Sequence, residues 1–277
     1  MKVLILGKNG NLGNELMGVY SDLSPTGWDR EEIDVTDEQV VWDMISELKP
    51  DLVYNCTAYN AVDQAEQDRI TADSVNGYAV GNIAKVCKSI GATLVHFSSG
   101  MVFDGNNPEG YNEDDLPNPV NAYGRSKLLG EMEGQENADN IYIIRTSWLF
   151  GKLGPGAANK KSFSDLMIEK AKNKEQLQVV DDEIGKPTYT LDLAQAARAI
   201  VEETKPFGIY HITNSGSCSR YDWAKEIFKI KNMEVEIEPV KGITLARLAK
   251  RPHYEVINNT KFLELRPWTE ALTEFLQ

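Results

Sequence analysis

Val3-Leu-Ile-Leu-Gly7-Lys-Asn-Gly10-Asn-Leu-Gly13 begins at the third residue of the chain, and its reading decides the fold. Four consecutive apolar residues read as a short strand buried on both faces. The three glycines that follow, evenly spaced, let the backbone turn sharply and let its N–H groups approach an anion. Helical spacing then runs from Leu12 to Tyr20, so the turn ends on a helix N-terminus, whose partial positive charge suits a phosphate. Strand, glycine turn and helix in that order open a dinucleotide-binding unit. Gly7, Gly10, Asn11, Leu12 and Gly13 are its candidate pyrophosphate contacts.

Outward from this stretch the pattern repeats. Apolar runs at Val3–Leu6, Leu52–Tyr54, Thr93–Phe97, Ile141–Ile144, Gln178–Val180 and Ile209–Ile212 predict strands. Helical periodicity appears between and after them, at Leu12–Tyr20, Val40–Leu48, Val75–Ile90, Ala122–Met132, Phe163–Lys172, Leu191–Val201, Tyr221–Phe228 and Trp268–Leu276. The alternation implies an α/β fold with a doubly wound parallel sheet, Rossmann-like. At Gly151-Lys-Leu-Gly-Pro-Gly156 the texture changes, and strands become sparser. Residues 1–150 are expected to form an NAD(P)-binding domain. Residues 151–277 are expected to form mostly a smaller, mainly helical substrate lobe, with some segments returning to the main domain. The acidic, proline-bearing loops Asp104–Pro119 and Asp181–Pro187 read as connections at the carboxyl edge of the strands, where ligands bind in such sheets.

Composition narrows the partners. The 277 residues carry 29 Lys and Arg against 42 Asp and Glu, a net charge of −13. That disfavours nucleic acid and membrane surfaces, both of which demand clustered cations. The densest basic groups, Lys170 to Lys174 and Lys250-Arg251, are short and diluted by acids. Three cysteines and three histidines, scattered without pairing, argue against a zinc site and a disulfide framework. The apolar start is broken at Gly7, too soon for a secretory signal, and nowhere is there a stretch long enough to span a membrane. The expected location is the cytoplasm.

Tyr123-Gly-Arg-Ser-Lys127 places a phenol and an ammonium one helical turn apart. A cation beside it would lower the phenol's pKa, letting Tyr123 pass a proton to or from a substrate oxygen. The same spacing recurs at Tyr221-Asp-Trp-Ala-Lys225, so spacing alone decides nothing. Position does. Tyr123 follows a buried strand that ends in Ser98-Ser99, and a hydroxyl there can converge with it on one carbonyl. Tyr221 follows no such strand end and reads as a helix-start residue. Cofactor type stays open: Asp29 could accept from a ribose hydroxyl, while Arg30 could pair with a 2′-phosphate.

The Gly-x-x-Gly-x-x-Gly spacing is similar to that of extended short-chain dehydrogenases/reductases. Within them, Gly7–Gly13, Asn55–Asp63, Val102-Phe-Asp-Gly105, Arg145-Thr-Ser-Trp148, Gly185-Lys-Pro-Thr188, Gly208-Ile-Tyr-His211 and Arg251-Pro252 resemble the dTDP-4-dehydrorhamnose reductase family, in family order over nearly the whole chain. The resemblance implies reduction of the 4-keto group of a dTDP-6-deoxysugar by NADPH or NADH, in a monomer or homodimer. It implies Tyr123 as proton donor and Lys127 as the residue that holds the cofactor ribose and tunes Tyr123. Ser99 takes the family's Thr position against the ketone. Asp34, Val35, Thr57, Ala58 and Tyr59 would join the cofactor site, and Val62 and Trp148 the sugar pocket.

Departures accompany the resemblance. The family continues Asp-Tyr after its Thr, where this chain has Gly100-Met101, and Asn60 stands where Thr is usual. Some members hold Mg²⁺ through acids at a dimer contact. Glu15 matches one position, but Leu191 falls where another acid aligns, so no metal is expected. Lys160, Lys161 and Arg251 are candidates to offset the acidic surface for an anionic substrate. A non-enzymatic alternative is a nucleotide-binding regulatory subunit similar to the β subunit of methionine adenosyltransferase. A dehydratase or epimerase of the same fold is disfavoured, because Gly100-Met101 offers no acid after Ser99.

Overall fold

Strand β1 (Val3–Leu6) is buried along its whole length, and its side chains feed two cores. Val3 and Ile5 join an apolar cluster on one face of the sheet, Leu4 and Leu6 another on the opposite face. That two-sided burial follows from the parallel neighbours β2 (Thr26–Trp28) and β3 (Leu52–Asn55). Beyond β3 come β4 (Thr93–Ser99), β5 (Ile141–Thr146) and β6 (Gly208–His211), all parallel. The sheet order is β6-β5-β4-β3-β1-β2, so the chain reverses direction across the sheet between β1 and β3. The crevice at such a reversal, outside the carboxyl ends of the strands, is where these sheets bind ligands.

The structure is a computed structural model that describes residues 1–157, 161–173 and 175–277, so Lys160 and Lys174 lie outside the described residues. Helices α1 (Asn11–Val19) and α2 (Glu38–Leu48) follow β1 and β2. Asp37 caps α2 by accepting from the amides of Gln39 and Val40, which satisfies two otherwise orphaned donors. The helix predicted from Val75 starts earlier. It runs as α3 (Arg69–Asp73), a π-helical turn (Ser74–Tyr78) and α4 (Ala79–Ile90). Asp68 caps it on the Thr71 amide. Helix α5 (Ala122–Asn137) packs on α4 and β4. Beneath it, Glu131 grips Arg145 of β5 with both oxygens, Nε at 2.9 Å and Nη2 at 2.6 Å, in a buried pair that also accepts from Ser98.

The second half of the chain divides its elements. Helix α7 (Thr190–Glu202) packs against α1, and β6 completes the edge of the main sheet. The remaining elements, α6 (Phe163–Lys172), α8 (Arg220–Ile230) and α9 (Trp268–Leu276), surround an aromatic-rich cluster centred on Trp223. The predicted strand at Gln178–Val180 belongs here. As Leu177–Val180 it pairs with Ile237–Val240 rather than with the main sheet. Ile184–Gly185, inside the predicted loop Asp181–Pro187, joins Cys218–Ser219 and Tyr254–Glu255 in a small three-stranded sheet. The pairings of the small three-stranded sheet span two residues each, too short for a periodic signature to read. Strand β2 was missed for the same reason: Thr-Gly-Trp is too short and too glycine-rich to announce itself.

Candidate active site

The glycine turn is built by close backbone approach. Gly7 adopts φ +81° and donates to Trp28 O at 2.7 Å, while Gly10 N donates back to Gly7 O at 3.0 Å. A Cβ on Gly13 would stand 2.1 Å from Gly7 O, so α1 begins closer to β1 than any side chain permits. Across the crevice the end of β3 presses in, with Thr57 N 3.1 Å from where a Gly7 Cβ would lie. Thr57 is tied to Asn55 Oδ1 by its amide and hydroxyl. Tyr59 is held through both main-chain groups by buried Asn76, which also donates to Ser126 of α5 at 2.9 Å. Asn76 lies in the π-helical turn and was not singled out from sequence. Gly130 of α5 approaches Asn76 O so closely that a Cβ would sit 2.1 Å away. The segment carrying Thr57, Ala58 and Tyr59 is thereby clamped to the helix carrying Tyr123 and Lys127.

A second glycine loop closes on the first. Gly154 N donates to Asn11 Oδ1 at 3.0 Å, and Gly156 N donates to Asn9 O at 2.9 Å. Asn11, a predicted cofactor contact, is engaged there by its side chain. Val35 is buried in the core, and exposed Asp34 accepts from the Thr36 amide and hydroxyl. Asp29, at the end of β2, has its carboxylate taken up by the amides of Asn9 and Arg30.

Helix α5 brings Tyr123 to the end of β4. Asn121 caps the helix on Gly124 N at 2.7 Å and reaches Lys250 O with its amide. Gly124 lets the first turn press on the short helical turn at 100–102: a Cβ there would be 2.2 Å from Met101 O. This sets the Tyr123 phenol beside Ser99, close enough for that hydroxyl to act on its pKa. Ser99 Oγ also accepts from Met101 N at 3.1 Å, whereas Ser98 points to the opposite face of the strand and donates to Glu131. Strand alternation therefore separates the two serines that the sequence left side by side.

Lys127 corrects one expectation. It is buried and donates from Nζ to Phe97 O at 2.6 Å. Burial lowers its pKa to about 8, partly offset by Glu131 and Cys56. The pKa of Tyr123 is raised rather than lowered. Burial is the main cause, the charge of Glu255 adds to it, and the Ser99 contact acts the other way. The Lys127 ammonium is turned toward the Phe97 carbonyl. Neutral Tyr123 is thus the resting form, a phenol with a proton to donate.

A cavity of about 310 Å³ lies beside this group, walled by Met101, Trp148, Phe163, Arg220, Arg251 and Glu255 among others. Trp148 is its fixed point. Its backbone sits at φ +43°, left-handed for a residue with a side chain. Gly185 passes under its ring, Arg220 lies over it at 3.7 Å, and Trp223 stacks at 5.9 Å. The indole Nε1 donates to Glu255 Oε2 at 3.0 Å. Val62 is half-buried and does not line this cavity; the neighbouring Asp63 grips Arg251 through both oxygens.

Compared with known proteins, the chain matches the family model "RmlD substrate binding domain" over residues 1–277. This chain belongs to that family. The RmlD match is supported by a dTDP-4-dehydrorhamnose reductase of Streptomyces griseus, 36% identical over 98% of this chain and 91% of that one. The spore coat polysaccharide biosynthesis protein SpsK of Bacillus subtilis (strain 168) is also 36% identical, over 100% of this chain and 97% of its own. Among solved structures, the dTDP-4-dehydrorhamnose reductase of Bacillus anthracis str. Ames in complex with NADP superimposes with a TM-score of 0.93. It is 36% identical and covered over 99% of both chains.

Within this RmlD-family chain, two site residues escaped the sequence reading. Arg220 heads α8, where only the neighbouring Tyr221 had drawn notice. Tyr221 does sit at the helix start, with Lys225 over its own ring at 4.8 Å. Glu255 lies three residues after the Arg251-Pro252 segment and was not itself singled out. The cations expected to offset the surface charge are otherwise engaged: Arg251 with Asp63, and Lys161 with Glu169. Among the described residues, Arg220 forms no such pair. Burial lowers its pKa to about 10, and the charge of Glu255 is the main one opposing that shift. Glu15 lies in α1 with Oε1 buried and unpartnered, and its pKa is raised by burial.

Proposed function

We propose that this chain reduces the 4-keto group of a dTDP-4-dehydro-6-deoxysugar, converting dTDP-4-dehydro-L-rhamnose to dTDP-L-rhamnose in nucleotide-sugar and cell-surface polysaccharide biosynthesis. The observation that carries the reading is the Tyr123 phenol placed beside the Ser99 hydroxyl, next to the 310 Å³ cavity that Met101 and Glu255 wall. The RmlD family match and the reductases among its relatives point the same way. The main sheet would carry the cofactor, and the elements around Trp223 would carry the sugar. Such a biosynthetic enzyme belongs in the cytoplasm, and no helix among the described residues is long and apolar enough to cross a membrane.

The glycine turn fits a dinucleotide, since the Gly7–Gly13 cradle leaves no room for a side chain facing the helix N-terminus. NADPH or NADH, when bound, supplies the hydride. The chain's own residues do the rest. Amides of Gly10, Asn11, Leu12 and Gly13 would receive the pyrophosphate, with Thr57, Ala58 and Tyr59 flanking it. Asp34 and Val35 would lie by the adenine. Ser99 Oγ donates to the ketone oxygen and fixes its position. Tyr123 then gives its proton to that oxygen as negative charge develops there, a role its raised pKa suits. Lys127, released from Phe97 O by a ribose hydroxyl, would hold the cofactor and stabilise the phenolate left behind. Asp29 is already engaged by main-chain amides, while Arg30 is exposed beside it, an arrangement that favours a 2′-phosphate.

The test is spectrophotometric. On addition of dTDP-4-dehydro-L-rhamnose, NADPH absorbance at 340 nm should fall, and dTDP-L-rhamnose should appear by NMR. The kcat/KM for NADPH should exceed that for NADH. Tight cofactor binding without turnover of this or a related keto-sugar would overturn the reading and favour the regulatory subunit.

A further inference from the structure

Glu255 enters the site from a strand of two residues, Tyr254–Glu255, just after the Arg251-Pro252 segment. Only 4% of it is exposed, yet it walls the 310 Å³ cavity. Its side chain runs along Gly100, the residue after Ser99. A Cβ on Gly100 would stand 2.9 Å from Glu255 Cγ and 3.3 Å from Oε1. Gly100 and Glu255 are therefore one packing unit: the carboxyl group is lodged where a side chain at position 100 would have pointed. Where the resembled family carries an acid and this chain has Gly100, a carboxylate arrives instead from the other end of the chain.

The environment holds this group rather than merely tolerating it. Trp148 Nε1 donates to Oε2, and Trp148 is itself fixed by Arg220 and Trp223. Burial pushes the Glu255 carboxyl up to about 7, while Arg220, the Trp148 and Ser147 contacts, and Arg251 pull it back. Tyr123 feels its charge. One oxygen is thus pinned by the indole. The other lies on the Gly100 side, next to the Ser99 and Tyr123 pair that would hold the ketone. Substituents on the ring carbons flanking a ketone lie within a few ångströms of it, and on a 4-keto-hexose the flanking C3 bears a hydroxyl.

We propose that Glu255 is a specificity-determining residue of this site, the carboxyl oxygen on its Gly100 side accepting a hydrogen bond from the sugar hydroxyl on C3, beside the reacting ketone. Gly100 is the complementary part of the device, since any side chain there would displace the acid. The assignment rests on the keto-sugar reductase reading and deepens it. It implies discrimination between a 3-hydroxy sugar and its 3-deoxy counterpart, because a buried polar group left unpaired by the wrong substrate penalises it.

The experiment compares kcat/KM for dTDP-4-dehydro-L-rhamnose with that for its 3-deoxy analogue, in wild type, Glu255→Ala, Glu255→Gln and the pair Glu255→Ala with Gly100→Asp. Wild type should prefer the hydroxylated sugar by about tenfold to a hundredfold. Glu255→Ala should lose most of that preference, and the added Gly100→Asp should restore part of it. Glu255→Gln keeps an acceptor for Trp148 and so guards against simple misfolding; it should weaken the preference and remove a step near pH 7 from the pH profile. Unchanged preference and pH profile in both single variants, with wild type active, would overturn the assignment and leave the reductase reading intact. A wild type that reduces neither sugar would overturn both.

Discussion

The two walls of the crevice are made in different ways. The cofactor side is main chain: Gly7, Gly10 and Gly13 lie within seven residues, and what they contribute is the absence of side chains. The proposed sugar side is side chain: Trp148, Arg220 and Glu255 come from three separated segments and meet only when the smaller elements fold onto the end of the sheet. On the proposed reading, a ligand feature common to many enzymes, the pyrophosphate, would be met by a local device, and a feature peculiar to one substrate by a long-range assembly. Changes on the first side should act on cofactor affinity, and changes on the second should act on substrate choice.

The most damaging change to this division is Gly13→Ala. The new methyl would meet Gly7 O at 2.1 Å, and both atoms belong to the cradle, so the turn must open. NADPH affinity, followed by fluorescence titration, should fall by about tenfold to a hundredfold, the size expected of overpacking a close backbone contact. An unchanged dissociation constant would show that the cradle does not bind the cofactor.

Lys127→Met sharpens the comparison at the seam between the walls. The folded-state pKa of Lys127 lies at about 8, below the value of 10.5 for a free lysine. Below pH 8 the lysine is charged in both folded and unfolded chains, so the fold carries the whole cost of burying it. That cost fades as the pH rises from 8 toward 10.5. Removing the charge should therefore stabilise the protein at pH 7 by up to about 3 kcal/mol, less the lost bond to Phe97 O. The melting temperature should rise by roughly 2 to 6 °C, while turnover falls sharply. A variant that melts lower at pH 7, or whose advantage does not shrink at pH 10, would contradict the account.

How much of this was legible beforehand follows the same division. The glycine turn and the strands at Val3–Leu6, Thr93–Phe97 and Ile141–Ile144 announced themselves because burial on both faces writes unbroken apolar runs. Tyr123 and Ser99 could be paired because one strand and the next helix separate them. Ser99 rather than Ser98 came from the resemblance, and strand alternation places Ser98 on Glu131 instead. The charge relation of Lys127 to Tyr123 was misread because spacing says nothing of rotamer, and the ammonium turns to Phe97 O. Glu255 and Arg220 were invisible for a simpler reason. Neither lies in a periodic pattern, and their value comes from Trp148, which is 107 residues from Glu255 in the chain.

Arg220→Ala should have the smallest of these effects and the cleanest separation. It removes the cation over Trp148 and the charge that most favours ionised Glu255. The KM for the dTDP-sugar should rise by about tenfold, in line with a desolvated cation–π contact and a charged neighbour. Cofactor affinity should stay within a factor of two, on the order of experimental scatter. A matching loss of cofactor affinity would mean that the two walls are not separable.

The central claim is that the Tyr123 phenol, held against Ser99, delivers the proton to the ketone. Tyr123→Phe tests it most directly, because the ring and its packing remain and only the hydroxyl is lost. Steady-state reduction of dTDP-4-dehydro-L-rhamnose by NADPH should show kcat lower by about a hundredfold to ten-thousandfold, with NADPH affinity close to that of wild type. A kcat within a few-fold of wild type would contradict the account.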